Sequence, residues 1–140
     1  MYQHLLYEVV EGVARITLNR PQVYHALSPD LILEITTAVQ SAAADTSVRV
    51  VLLTATGDKA FCAGADLKEC GTPFQFDHSV YHTPFAKLLR TAQACDAPII
   101  GRLNAACLAG GMGLFGACDI VVAADHAKIG PPESKVGLYP

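Results

Sequence analysis

The chain has 140 residues, 51% of them hydrophobic and 16% charged, with a formal net charge of -3. That apolar content excludes an intrinsically disordered segment, and the mild acidity offers nucleic acid no basic surface. No apolar stretch reaches the length of a membrane span, and residues 1–10 lack the basic-then-apolar layout of a signal peptide.

In chain order, "HLLYEVV" and "VARITLN" are β-rich runs separated by Glu11-Gly12, which predicts an N-terminal hairpin. "NRPQ" is a turn. Ser28-Pro29-Asp30 offers an N-cap with proline at the first helical position, and Leu31, Ile32, Ile35, Val39 and Ala42 follow at helical spacing. An amphipathic helix is therefore expected over 29–44. "VRVVLLTAT" is an almost continuous apolar run of the kind parallel sheets bury. Gly57-Asp58-Lys59 turns the chain into "AFCAGADLKEC", where Asp66-Leu67-Lys68-Glu69 reads as a helix start. Residues 71–79 are loop-like. Residues 85–94 are expected to be helical, "APIIGRL" a strand, 109–118 a short apolar helix, "DIVVAAD" a strand and "AKIG" a shorter one. Strands alternating with helices predict an α/β architecture with a mostly parallel sheet.

The five cysteines (Cys62, Cys70, Cys95, Cys107, Cys118) are odd in number and have no CxxC spacing. They read as buried free thiols in the cytoplasm or another reducing compartment, not as a disulfide framework or zinc site. Asp77, His78 and His82 lack a third ligand and read as a solvated patch, so no metal is expected. Ser28, Ser79 and Ser134 lack the G-x-S-x-G context of a hydrolase nucleophile.

Residues 111–116 spell "GMGLFG", a literal G-x-G-x-x-G. A dinucleotide site needs a helix after the glycines that is long enough to cross back to a parallel strand. Only Ala117 and Cys118 separate Gly116 from Asp119 and the next strand, so these glycines do other work. The first amides of a helix have no intrahelical partner and carry the positive end of its dipole. Glycine lets a ligand approach them closely. Gly110 and Gly111 thus suit an N–H donor aimed at an oxygen anion, and "CAGAD" has the same character. Two such loops could make a two-amide oxyanion hole. Close packing of helix on sheet explains the same glycines, and the residues alone leave both readings open.

Four ordered segments carry a resemblance. "ITLNRPQVYHALS", "AFCAGADLKE", "NAACLAGGMGLFGACDIVVAAD" and "AKIGPPESKVGLYP" together resemble the crotonase (enoyl-CoA hydratase/isomerase) superfamily, most weakly over 71–85. The resemblance implies a crotonase-like domain over 1–140, a ββα spiral of mostly parallel sheets flanked by helices, and an acyl-CoA thioester substrate. By position it implies that the amides of Ala65 and Gly110 form the oxyanion hole. Ala63, Gly64, Asp66, Leu67, Lys68 and Gly111 would line the substrate, and Glu133 would be the acid–base carboxylate. It implies no cofactor, since coenzyme A enters with the substrate, and a homotrimeric or hexameric parent with no nucleic-acid or membrane partner. The implied reaction is hydration or double-bond shift of an enoyl-CoA in fatty-acid or related acyl-CoA catabolism.

The chain departs from the pattern at three points. Hydratases of the family carry a second glutamate where this chain has Gly113, and no carboxylate lies between Asn104 and Cys118. His25 stands where the family often has asparagine, and reads as a structural substitution beside Tyr24. Members continue well past the closing "GLYP", so the expectation is an N-terminal part whose C-terminal helical part is absent. Such a part would expose apolar surface and bind CoA esters weakly. The alternative reading is a catalytically weak or truncated member acting as a CoA-ester-binding or assembly module.

Overall fold

The computed structural model describes residues 1–69 and 84–132. Strands β1 (Leu5–Val10) and β2 (Val13–Leu18) form the expected antiparallel hairpin. Its two-residue turn has positive φ at both Glu11 (51°) and Gly12 (81°), the backbone that suits a tight right-twisted hairpin. Helix α1 (Pro29–Ala44) begins where the sequence places it. The Ser28 hydroxyl accepts from the Leu31 N–H at 3.2 Å, and Pro29 occupies a position whose N–H would be unpaired anyway.

The rest of the chain repeats one unit. A strand of a large sheet is followed by a short strand of a small sheet and then a helix. The first pass is β3 (Val50–Ala55), β4 (Ala60–Cys62) and α2 (Pro84–Gln93). The second is β5 (Ile99–Leu103), β6 (Ala106–Leu108) and α3 (Gly110–Gly116). A third begins with β7 (Ile120–Ala123) and β8 (Ile129–Gly130). The large sheet has the order β1-β2-β3-β5-β7 and is parallel from β2 onward. The small sheet, β4-β6-β8, is parallel throughout. This is an α/β fold of mostly parallel sheets and three α-helices among the described residues, in agreement with the expected class.

The core lies between the large sheet and the helices. Ile16, Leu18, Val51, Leu53, Ile99 and Leu103 from the sheet meet Leu31 and Ile35 of α1, Leu88 of α2 and Leu114 of α3. Ile120, Val121, Val122 and Ile129 remain exposed, on β7 at the sheet margin and on β8.

Two local expectations change. The stretch 66–69 forms turns, because the Asp66 carboxylate takes the N–H groups of Lys68 and Glu69 for itself. Strands β4 and β6 of the small sheet escape sequence reading, since strands of three residues are too short to show a period, whereas β8 falls within "AKIG" as expected. The small sheet also contains an irregularity. Ala60 pairs with Ala106 but Cys62 pairs with Cys107, so Phe61 is an extra residue on β4, a bulge.

Candidate functional site

The candidate site lies where β4 and β6 end. Cys62 and Cys107 face each other across the ladder, and Ala65 and Gly110 each lie three residues beyond. Parallel strands point their ends the same way, so the two turns of the ββα repeat deliver equivalent loops to one place.

The amide of Ala65 is set free by its own pairing. Leu27 bridges to Ala65 in parallel fashion. The Leu27 N–H donates to the Gly64 carbonyl at 2.7 Å, and the Asp66 N–H donates to the Leu27 carbonyl at 3.0 Å. That pattern spends the groups on either side of Ala65 and turns its own N–H away. Gly110 is the first residue of α3, so its N–H has no intrahelical acceptor. Neither N–H is engaged by another described residue. The two lie close together: a methyl group at Gly110 would sit 3.7 Å from the Ala65 nitrogen. Ala109, the preceding residue, has φ 49° and ψ -126°. This conformation strains a residue with a Cβ, and its ψ angle sets the direction of the Gly110 N–H.

The adjacent glycines differ in what they do. A Cβ on Gly111 would lie 2.8 Å from the Cys62 carbonyl oxygen and 2.9 Å from the Cys62 Cβ. Gly64 has φ +102°, and a Cβ there would meet the Ala109 Cβ at 2.7 Å. Both are packing glycines that let the two loops touch. Gly110 has only ordinary contacts around its missing side chain, 3.5 Å or longer. The packing reading thus holds for Gly64 and Gly111, while no close contact accounts for the missing side chain of Gly110.

A buried clamp holds the Ala65 loop. Arg20, at the end of β2, is 5% exposed. Its guanidinium donates to the Ala26 carbonyl at 2.7 Å, to Asp66 at 3.0 Å and to Glu69 at 2.7 Å. Burial pushes the Asp66 carboxyl up, but the Arg20 hydrogen bond, the Glu69 and Lys68 amides and the Arg20 charge outweigh it, so the net shift is downward. Asp66, expected to line substrate, spends both oxygens inside this network.

His25 fastens the same turn. Its Nδ1 accepts from the Arg20 backbone N–H at 3.0 Å, so Nε2 carries the proton and donates to the Thr56 carbonyl at 2.9 Å. Tyr24 and His25 both have left-handed φ values (53° and 54°), where asparagine and histidine are more at home than most residues. Sequence reading missed both Arg20 and this role for His25. The signal was the short spacing from Arg20 to His25 across a proline turn.

Burial, chiefly, and then the Arg20 charge push the His25 pKa below its ordinary 6.5, against the upward pull of the Thr56 carbonyl. The unfolded chain therefore binds a proton that the folded chain refuses. This contribution to stability is full above pH 6.5 and is lost as pH falls from there towards the lower folded value. The expected result is a thermal midpoint that drops between pH 7.5 and 5.5, and drops less in His25→Asn. Equal drops in the two proteins would remove His25 as a source of acid sensitivity.

The remaining expected residues are placed as follows. Ala63 donates its N–H to the Tyr24 carbonyl at 3.0 Å. Leu67 and Lys68 are exposed beside the site. Glu133 lies outside the described residues, as do Asp77, His78 and His82. The segment before Glu133 is anchored here: the Ala109 N–H donates to the Gly130 carbonyl at 3.3 Å. Cys62 is fully buried and its thiol is pushed up to about 11, mainly by burial, so it stays protonated and inert. Among the described residues no three His, Cys, Asp or Glu side chains gather to hold a metal, and no helix is long and apolar enough to cross a membrane.

Residues 8–140 match the enoyl-CoA hydratase/isomerase family. The chain is 34% identical over 139 residues to a crotonyl-CoA hydratase of Syntrophomonas wolfei, covering 99% of this chain and 54% of that protein. Among solved structures it is similar to an enoyl-CoA hydratase/carnithine racemase from Magnetospirillum magneticum, with TM-score 0.91 and 31% identity, covering 100% of this chain and 53% of the other. An enoyl-CoA hydratase/isomerase from Xanthobacter autotrophicus Py2 superposes with TM-score 0.85 at 36% identity, covering 98% of this chain and 52% of that one. The chain thus spans about half the length of the curated relatives it matches. From its family match, its spiral of paired sheets and its likeness to these structures, the chain belongs to the enoyl-CoA hydratase/isomerase family of the crotonase superfamily, of which it is an N-terminal part.

Proposed function

We propose that this chain supplies the thioester-binding part of an acyl-CoA enzyme that stabilises an enolate between the N–H groups of Ala65 and Gly110. The observation that carries the reading is the convergence of two unpaired amides at the ends of neighbouring strands. A thioester oxygen held there gains negative charge as a proton leaves the adjacent carbon. Preorganised donors favour that charge by about 3 kcal/mol each.

The acid–base group in this reading is Glu133. Its segment leaves β8 at Gly130, beside Ala109, and three residues of chain span no more than about 11 Å. Gly113 carries no carboxylate to share the work, so a one-carboxylate reaction is favoured over hydration. In a double-bond shift of a 3-enoyl-CoA, the base takes the proton at C2. The electron pair delocalises onto the thioester oxygen, and the same proton returns at C4 as the double bond moves. Nothing beyond the CoA substrate enters that balance. Fatty-acid or related acyl-CoA catabolism is the setting such a reaction implies.

The test compares 3-enoyl-CoA isomerisation with 2-enoyl-CoA hydration, with any coding sequence that follows residue 140 included. Gly110→Ala places a methyl against the Ala65 nitrogen, where an oxygen must approach to about 2.9 Å. It is expected to fold and to lose at least about tenfold in kcat, and Glu133→Gln about 10²-fold or more. Wild-type rates in Gly110→Ala would sink the two-amide reading. The second reading, a CoA-ester-binding or assembly module, rests on the missing carboxylate at Gly113 and predicts ester binding without turnover of either substrate.

A further inference from the structure

Segment 24–27 is the neighbour that shapes the Ala65 loop. It runs beside residues 63–66 and is bonded to them through the backbone. The Ala63 N–H donates to the Tyr24 carbonyl at 3.0 Å, the Leu27 N–H to the Gly64 carbonyl at 2.7 Å, and the Asp66 N–H to the Leu27 carbonyl at 3.0 Å. The direction of the Ala65 N–H therefore follows the position of this segment. His25 sits within it, 1% exposed, and its ring ties the segment to the large sheet. Nδ1 takes the Arg20 backbone N–H past the end of β2, and Nε2–H meets the Thr56 carbonyl just past β3. Only the neutral ring with its proton on Nε2 serves both contacts. A second proton would land on Nδ1 and face the Arg20 N–H across 3.0 Å, donor against donor. That contact must then break.

We infer that His25 is a positioning residue for the Ala65 amide, and that protonation of its ring reversibly opens the oxyanion hole; the inference rests on the proposed thioester site. Freed from Arg20, segment 24–27 no longer fixes the loop it is bonded to, and the Ala65 N–H loses its aim at the thioester oxygen. Local opening of one loop costs less than unfolding the chain, so activity falls before the fold does. The groups around the ring set where this happens. From β2 it faces the Arg20 guanidinium, whose charge is met by Asp66 and Glu69. From beyond β3 it faces the Thr56 carbonyl. From the turn before β4, Asp58 and Lys59 line the same cleft, exposed and of opposite sign, and Tyr24 on its own turn is exposed there. Burial and the Arg20 charge outweigh the Thr56 carbonyl and place the titration below the ordinary 6.5, so the device acts in mild acid and is silent at neutral pH.

The experiment measures kcat and KM from pH 7.5 to 5.0 for a four-carbon 2-enoyl-CoA and its 3-enoyl isomer, at a temperature where circular dichroism shows the protein folded throughout. It uses the wild type and His25→Asn, each with any coding sequence beyond residue 140. Asparagine tolerates left-handed φ and offers both an acceptor and a donor, but gains no proton in this range. Any acid limb that belongs to Glu133 is common to both proteins and cancels in the comparison. The wild type is expected to lose at least about threefold more kcat than His25→Asn across this range, and to recover on return to pH 7.5. In the same range, hydrogen-exchange protection of the wild-type Leu27 and Asp66 amides, corrected for the intrinsic pH dependence of exchange, is expected to fall while that of β3 holds. This second arm needs no variant, so it decides the question even where His25→Asn fails to fold. Equal losses of kcat in the two proteins, or unchanged protection in the wild type, overturn the role of His25 and leave the thioester site standing. Failure of the wild type to bind or turn over either ester at pH 7.5 overturns both.

Discussion

Arg20→Met is expected to lower the unfolding free energy by about 3–5 kcal/mol. The cause is what the substitution leaves behind. Asp66 is 7% exposed, and its carboxylate would lose its cation while the Lys68 and Glu69 amides stayed in place. The Ala26 carbonyl would lose its donor as well. An unpaired buried charge costs far more than the net worth of the pair that contained it. The Glu69 contact adds little to the total, because that carboxylate is half-exposed and can turn to water. At roughly 3 °C per kcal/mol for a chain of this size, the thermal midpoint falls by about 10–15 °C. Urea unfolding gives the same quantity from the shift in midpoint at constant slope. The sharper check is a double-mutant cycle. Adding Asp66→Leu to Arg20→Met removes the orphaned charge, so the pair of substitutions should cost less than Arg20→Met alone. A cycle showing simple additivity would mean that Asp66 finds water and that the clamp is not a buried one.

Gly111→Ala is expected to cost more than its neighbour Gly110→Ala by about 2 kcal/mol or more in stability. The added methyl meets the Cys62 carbonyl oxygen, the Cys62 Cβ and, at 3.2 Å, the Cys107 sulfur. The first two belong to the backbone and to a fixed Cβ, so neither can swing aside. Overpacking of this kind costs about 1–3 kcal/mol, and the upper end applies where backbone must move. Alanine recovers at most about 1 kcal/mol of helix propensity. Relief comes only by lifting α3 off the small sheet, which carries the Gly110 amide with it. Activity should therefore fall together with stability in Gly111→Ala, whereas Gly110→Ala loses activity alone. Chemical denaturation and enoyl-CoA turnover, measured on both variants, separate the two. Equal midpoints would show that the helix has slack against β4.

The long elements were legible because their signals are local. The 29–44 helix announces itself by a cap, a proline and a repeated apolar face, and the first hairpin by its two-residue turn. The two loops that place Ala65 and Gly110 were also legible, but only as small residues before a polar or apolar run. What sequence could not supply was the division of labour among Gly64, Gly110 and Gly111. That depends on which atom of a distant strand stands opposite each missing side chain. The Arg20–Asp66 pair was hidden for the same reason. Its members are 46 positions apart, and the sequence reads Asp66 as a helix start beside the substrate and gives Arg20 no role.

The rung shared by Cys62 and Cys107 has a consequence for how this chain can vary. Because Cys62 and Cys107 share a rung, and each loop takes three more residues to its amide, the pair is matched by counting. Adding a residue to either link, or removing one, slides one amide past the other by about 3.3 Å, more than the length of a hydrogen bond. Exchange of one apolar side chain for another along β4 and β6 leaves that count untouched. Insertions and deletions between Cys62 and Ala65, or between Cys107 and Gly110, do not. A relative whose two links differ in length has lost the pair, whatever its glycines spell.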